Sequence, residues 1–491
     1  MKAILAIDQG TTSTRAIVFS VNGKKLFSSQ LEIKQYFPKN GWVEHNPNEI
    51  WSKTLKVIKN VAKNCIRKKI KILTIGITNQ RETTVLWDKS NGRPVYNAIV
   101  WQDRRTEDFC NTLKAKNKES KIRKKTGLFL DPYFSATKVR WIIKNVPKAK
   151  KLIKEKKLLF GTIDTFLIWK LTSGKVHATD ATNASRTLLF NINSNKWDNE
   201  ILNLFKVPKN ILPEVKNSAD NFGMTNKSII GTVVPINGVV GDQQAATIGQ
   251  CCFSPGSVKS TYGTGAFVLM NTGSKKIFSK NKLLTTICYR INNKTTYALE
   301  GSIFVAGAGV QWLRDKIKLI NNAYETEKIA KSKKNNNGVY LVPAFTGLGA
   351  PYWSPNSRGV LSGLTRNTDW KDIVRAVIES VAYQSFDLFK AMNNDGLKPK
   401  VVKVDGGMVS NNWFSQFLSD ILDIKVIRPK INETTALGAA FIAGLYIGEF
   451  NSFKSISKRW KIDKRFSPNI YKLSRIKLLK GWEQEIKRTL I

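Results

Sequence analysis

The chain is short of acids, histidines and cysteines for its length. Against 80 lysines and arginines stand only 36 aspartates and glutamates, a formal net charge of +44 over 491 residues. Five cysteines (Cys65, Cys110, Cys251, Cys252 and Cys288) form an odd set without C-x-x-C spacing, and His45 and His177 are the only histidines. So sparse a set assembles neither a disulfide framework nor a zinc site, and the thiols read as buried and reduced. Long apolar runs are missing too. No stretch approaches the roughly 18 residues that cross a bilayer, and the opening MKAILAIDQG breaks at Asp8, too early for a secretory apolar region. A cytoplasmic protein without a membrane span is expected.

The excess of positive charge raises the question of nucleic acid. Its lysines are spread over the whole chain, and the densest runs, KLIKEKKLLF from Lys151 and KSKKNNNG from Lys331, lack the interleaved aromatics that base recognition needs. No specific nucleic-acid partner is expected; nonspecific, salt-sensitive attraction follows from the charge alone.

What is present is a globular chain, 42% apolar, and too long for a single core to keep growing. NPNEIWSKTLKVIKNVAKN offers Asn46, Pro47 and Glu49 at the N-cap, N1 and N3 positions, followed by Ile50, Leu55, Ile58 and Val61 at helical intervals. KILTIGITNQRE then reads as a β-branched strand running into polar residues, and the pattern recurs at GVVGDQQAA, STYGTGAFVLM and VVKVDGGMVSNNWF. The wide apolar face of WKDIVRAVIESVAYQSFDLF predicts a long core helix. Two glycine-bearing turns, DQGTTSTR and TYGTGAF, each lie between apolar strands. That repetition predicts two similar α/β domains, 1–249 and 250–491, parted where GQCCFSPG interrupts the pattern.

Several constellations suit phosphate chemistry. In DQGTTSTR, Gly10 lets the backbone approach a ligand, while Thr11, Thr12, Ser13 and Arg15 supply hydroxyls, amides and a cation. Asp8 is suited to Mg2+ rather than to phosphate itself. A lone D-x-G-T is equally a tight hairpin with an Asx-turn. In DGGMVSNN, Asp405 ends a strand and Asn411 suits either a nucleotide or a helix cap. Asp242, in GDQQAA, ends an apolar strand and suits a proton acceptor or a cap. Arg81 and Glu82 pair a donor fork with an acceptor pair that could grip neighbouring hydroxyls, though two adjacent charges also suit a solvated ion pair. Trp101 and Tyr133 read as core aromatics or as a ligand wall.

Taken together, these residues resemble the FGGY carbohydrate kinases from Ala3 to about Gly448. YFSATKVRWIIKN (133–145) fits the first signature of that family and GVLSGLTRNTDWKDIVRAVIE (359–379) the second. GWVEHNPNEIW, GITNQRETT, TNASRTLLFNI and VPAFTGLGAPYW resemble the members that act on glycerol. The resemblance implies two actin-like, ribonuclease-H-like α/β domains flanking a cleft, and transfer of the ATP γ-phosphoryl group to glycerol with Mg2+ at Asp8. It implies that Arg81, Glu82, Tyr133, Asp242 and Gln243 bind the polyol, with Trp101 and Phe267 against its carbons. Asp242 would be the general base. Thr11, Thr12, Ser13, Arg15 and Thr264 would contact phosphates; Gly307, Gln311, Gly407 and Asn411 would hold the rest of the nucleotide. A homo-oligomer, dimer or tetramer, is expected by resemblance only. TNKSIIGTVVPING lacks the arginine with which some members bind fructose 1,6-bisphosphate, so inhibition by that sugar is not expected. The basic segment 452–491 resembles the family least.

Overall fold

The computed structural model describes residues 1–491. Its framework is two sheets of repeated topology. In the first, β1 (Lys2–Gln9), β2 (Ser13–Ser20) and β3 (Lys25–Glu32) form an antiparallel meander, α1 (Pro47–Arg67) crosses over, and β4 (Lys71–Asn79) and β5 (Ile236–Gly241) add in parallel, giving the order β5-β4-β1-β2-β3. Helix α2 (Asp242–Gly249) follows directly. The second sheet contains β6 (Val258–Tyr262), β7 (Ala266–Gly273), β8 (Leu284–Ile291) and β9 (Lys294–Ile303). Helices α3 (Gly307–Asp315), α4 (Glu325–Ser332) and α5 (Trp370–Asn394) precede β10 (Val401–Asp405). Helix α6 (Asn412–Leu422), β11 (Lys425–Pro429), α7 (Thr434–Tyr446), β12 (Ile462–Phe466) and α8 (Lys472–Thr489) complete the chain. The order β3-β2-β1-β4-β5 recurs as β9-β7-β6-β10-β11, with the same antiparallel and parallel pairings and with β8 and β12 added at the edges. The repetition expected from the two glycine turns is therefore a repetition of whole sheets.

Local chemistry accounts for the long helices. Asn46 Oδ1 accepts the Asn48 N–H at 2.9 Å with Pro47 in the first turn, and Ile50, Val57, Ile58 and Val61 bury one face of α1. Glu49 departs from the expected reciprocal cap: its carboxylate takes the Lys34 amide and Lys53 Nζ, tying α1 to the segment after β3. Asp369 and Asp372 form a capping box at the start of α5.

Helix α7 lies between the two sheets. It is apolar on nearly every side and packs on β1, β4 and β5 as well as on α2, so a helix encoded late in the chain covers the first sheet. The crossing of α2 and α7 is backbone on backbone. A Cβ on Gly438 would lie 1.9 Å from the Ala245 carbonyl oxygen, and one on Gly249 would lie 1.9 Å from that of Thr434. The shared core joins Ile4, Val240 and Ile248 with Leu269, Ala439 and Phe441. All five cysteines are buried and unpaired, and burial pushes the Cys110 thiol up to about 12. No helix is long and apolar enough to cross a membrane.

Candidate active site

Strands β1 and β6 each end in a tight hairpin, closed by Gly10 N–H to Ser13 O and by Gly263 N–H to Gly265 O, both at 2.9 Å. Around these turns lie two cavities. The smaller, about 220 Å³, is lined from the first hairpin, from the ends of β4 and β5, and from the second hairpin. The larger, about 490 Å³, lies among β6, α3, α4 and the turn after β10. Gly263 and Thr264 line both, so this turn is the threshold between them.

In the smaller cavity, Arg81, Glu82, Asp242 and Gln243 form a polar floor, and Trp101, Tyr133 and Phe267 form an aromatic wall. The Trp101 ring lies edge-on to Tyr133 (centroids 5.7 Å apart) and to Phe267 (6.0 Å). Its Nε1 donates to Thr11 Oγ1 at 2.9 Å, fixing the wall to the first hairpin. Thr11, Thr12, Ser13 and Arg15 also line this space. Glu82 has φ +60°, a left-handed conformation costing a non-glycine residue roughly 1 kcal/mol, at the point where its carboxylate meets the cavity.

The reading of Arg81 and Glu82 as a solvated pair is excluded, since both are 2% exposed. They belong to a buried network that balances three cations against three anions. Arg81 grips Glu300 through both Nη atoms (2.6 and 2.9 Å) and approaches Asp242 through Nε (3.2 Å). Arg186 Nε donates to Glu82 at 2.7 Å and its Nη2 to Glu300 at 3.1 Å. Lys259 is fully buried and bonds Gln243 Oε1 and Thr261 Oγ1. Burial raises the Glu300 carboxyl, but Arg186 and Arg81 outweigh it and hold that group at about 2. Burial lowers Lys259 to about 8 against the pull of the surrounding carboxylates. Asp242 keeps 27% of its side chain open, yet burial pushes its carboxyl above the ordinary range, opposed chiefly by Arg81. A carboxylate of raised basicity facing a cavity can accept a proton from a ligand hydroxyl. Its capping alternative is not realised: Gly241 is the N-cap of α2, and Asp242 is the first helical residue, accepting the Gln243 N–H at 2.7 Å.

Gly307, Gln311, Gly407 and Asn411 line the larger cavity. Asn411 caps α6, its Oδ1 accepting the Phe414 N–H at 2.9 Å, and it also lines the larger cavity. A Cβ on Gly407 would meet nothing within 4 Å, so this glycine leaves open room.

Asp8 differs from the rest. It does not line the cavity; opposite Arg15 in the hairpin register, it lies buried with Oδ2 at 3.1 Å from Arg15 Nη2. Arg15 Nη1 also meets Glu433 Oε2, at the start of α7, at 2.8 Å. Asp405 faces no ligand space, taking Gln250 Nε2 and Thr434 Oγ1 instead. Arg186, Glu300, Lys259 and Gln244 are further members of the network around the cavity that no local motif singles out. Their available signal was a charge set within an otherwise apolar strand, as at Glu300 in YALEGSIF and Lys259 in SVKSTY.

Comparison with known proteins bears on what this arrangement serves. The N-terminal domain of the FGGY family of carbohydrate kinases matches residues 3–249 and the C-terminal domain residues 258–446. Glycerol kinase 1 of Pseudomonas aeruginosa is 55% identical over 485 residues, covering 99% of this chain and 98% of the relative. The glycerol kinase of Rhizobium meliloti is 55% identical over 491 residues, covering 99% of each. The crystal structure of Plasmodium falciparum glycerol kinase with ADP superposes with a TM-score of 0.92 at 41% identity, covering 100% of this chain and 99% of that one. A xylulose kinase from Lactobacillus acidophilus shares the fold, with a TM-score of 0.87 at 23% identity and coverage of 100% and 98%.

Proposed function

The chain belongs to the FGGY family of carbohydrate kinases, and on that premise we propose that it transfers the γ-phosphoryl group of ATP to a terminal hydroxyl of glycerol, giving sn-glycerol 3-phosphate. The observation that carries this reading is the junction of the two cavities at Gly263 and Thr264, with Asp242 on the floor of the smaller one. ATP occupies the larger space with its base and ribose near Gln311, Gly407 and Asn411, and its phosphates cross the threshold toward the first hairpin. Thr11, Thr12, Ser13, Thr264 and Arg15 contact those phosphates. Glycerol lies on the Arg81 and Glu82 floor with its carbons against Trp101, Tyr133 and Phe267.

Phosphoryl transfer asks for in-line placement and for neutralisation of charge on the moving group, more than for covalent help. Asp242 takes the proton of the attacking hydroxyl. The hairpin amides and Arg15 offset the phosphate charge. The donor set fits Mg2+ only in company with the nucleotide. No group of three acid, histidine or cysteine side chains could hold a metal alone, but Asp8 is a carboxylate whose burial opposes its ionisation and whose charge disfavours that of Asp242, so a dication would relieve both. Asp8 would help to hold Mg2+ beside the nucleotide, where the ion would supply neutralisation of phosphate charge. We also take the chain to divide at 249/250 into a polyol and metal half and a nucleotide half, a division the repeated sheet order supports.

A longer ketose is disfavoured by the close aromatic wall. An ADP-release assay with glycerol, dihydroxyacetone, xylulose and ribulose tests the assignment. Glycerol should give the highest kcat/KM, and a higher value for xylulose would overturn it.

A further inference from the structure

Each of the two gripping side chains on the cavity floor is half spent on the protein and half left for a ligand. Arg81 has five N–H donors. Its Nη1 gives one to Glu300 Oε2 and one to Gln244 Oε1, and its Nη2 gives one to Glu300 Oε1. The Nε–H and one Nη2–H remain, and Nε lies 3.2 Å from Asp242 Oδ1. Glu82 gives Oε1 to Arg186, and its Oε2 has no protein partner on a residue that lines the cavity. The two residues that consume the inner halves, Glu300 and Arg186, are fully buried and do not line the cavity. They also meet each other, and the Arg186 guanidinium lies 5.5 Å from the ring centroid of Tyr133.

We infer that Glu300 and Arg186 are positioning residues that set which N–H and which carboxylate oxygen face the polyol, and thereby its selection by adjacent hydroxyls. Glu300 comes from β9 in the second sheet, whereas Arg81 and Glu82 follow β4 in the first. The grip is therefore completed across the two halves, by a strand that contributes no group to the ligand. A fork held through both Nη atoms cannot rotate about its own axis, so the direction of the free Nε–H is fixed. Replacing Glu300 by Gln puts an amide donor against a guanidinium donor and releases that fork. Replacing Arg186 by Lys keeps a charge but loses the simultaneous reach to Glu82 and Glu300.

This inference rests on the smaller cavity being the glycerol site, and the wild-type protein tests that reading first: ATP turnover should depend on glycerol. Given that turnover, E300Q should raise KM for glycerol at least tenfold while KM for ATP moves less than twofold. The preference for glycerol over propane-1,3-diol, which lacks adjacent hydroxyls, should fall at least fivefold. R186K should give the same split, and it decides the matter if E300Q does not fold. A glycerol KM within twofold of wild type in the folded variant, or equal losses toward glycerol, propane-1,3-diol and ATP together with a lowered melting temperature, would overturn the assignment. Wild-type protein indifferent to glycerol would instead refute the underlying reading.

Discussion

Replacing Asp242 by Asn isolates the proton transfer from the binding of either substrate. The amide keeps an oxygen for the Gln243 N–H, which the carboxylate accepts at 2.7 Å, so the start of α2 is preserved. Arg81 stays anchored through its two bonds to Glu300 at 2.6 and 2.9 Å, and Glu82 stays anchored to Arg186. What disappears is the basicity and one negative charge from a set balanced three against three. Loss of a positioned general base lowers a rate by about 10²–10⁴, which is about 3–5 kcal/mol of barrier. Because the polyol grip survives, KM for glycerol should change by no more than about fivefold. The pH profile gives a second reading of the same group. Burial raises the Asp242 carboxyl, and the working form is the ionised one. Wild-type kcat/KM for glycerol should therefore fall as pH drops through a value above the ordinary carboxylate range, and that acid limb should be absent in D242N. Steady-state ADP release across pH measures both. A kcat loss below tenfold, or a loss carried entirely by KM, would refute the assignment of Asp242 as the base.

Gly407→Val should raise KM for ATP about tenfold, with KM for glycerol unchanged, because a Cβ there meets nothing within 4 Å and the side chain extends into the larger cavity. Gly438→Ala should destabilise the fold by about 3 kcal/mol in denaturant titration, since its methyl would sit 1.9 Å from the Ala245 carbonyl oxygen; an unchanged midpoint would contradict the close crossing of α2 and α7. Fructose 1,6-bisphosphate at millimolar concentration should leave turnover unaffected, checked in the same ADP-release assay.

The parts of the site that were legible in the sequence are those where an apolar strand stops at a polar turn. Asp8, Arg81 and Asp242 each stand at or just beyond such an end, and the carboxyl ends of the parallel strands β1, β4 and β5 lie on one edge of the sheet. Their surroundings were less legible for a physical reason. A charged residue inside a strand, read alone, is as consistent with a solvated face as with a buried network, and only its partner decides. The partner of Arg81 is Glu300, 219 residues away, and that of Arg15 is Glu433, 418 residues away. No local pattern encodes such pairings. Asp8 shows the converse: its place at the strand end was visible, but the cross-strand contact with Arg15 that draws it out of the cavity lining depends on hairpin register. Likewise the small residues of TTALGAAFIAGLY mark a buried helix, yet not that it covers the sheet formed by the beginning of the chain.

A polyol hydroxyl and an ATP γ-phosphate should meet beside Asp242 at the Gly263–Thr264 threshold. A crystal structure with glycerol and a non-hydrolysable ATP analogue bound together tests it directly. A glycerol hydroxyl should lie within hydrogen-bonding distance of the Asp242 carboxylate, with the γ-phosphate beside Thr264. Glycerol bound away from Arg81 and Glu82, or a triphosphate that never crosses that threshold, would contradict it.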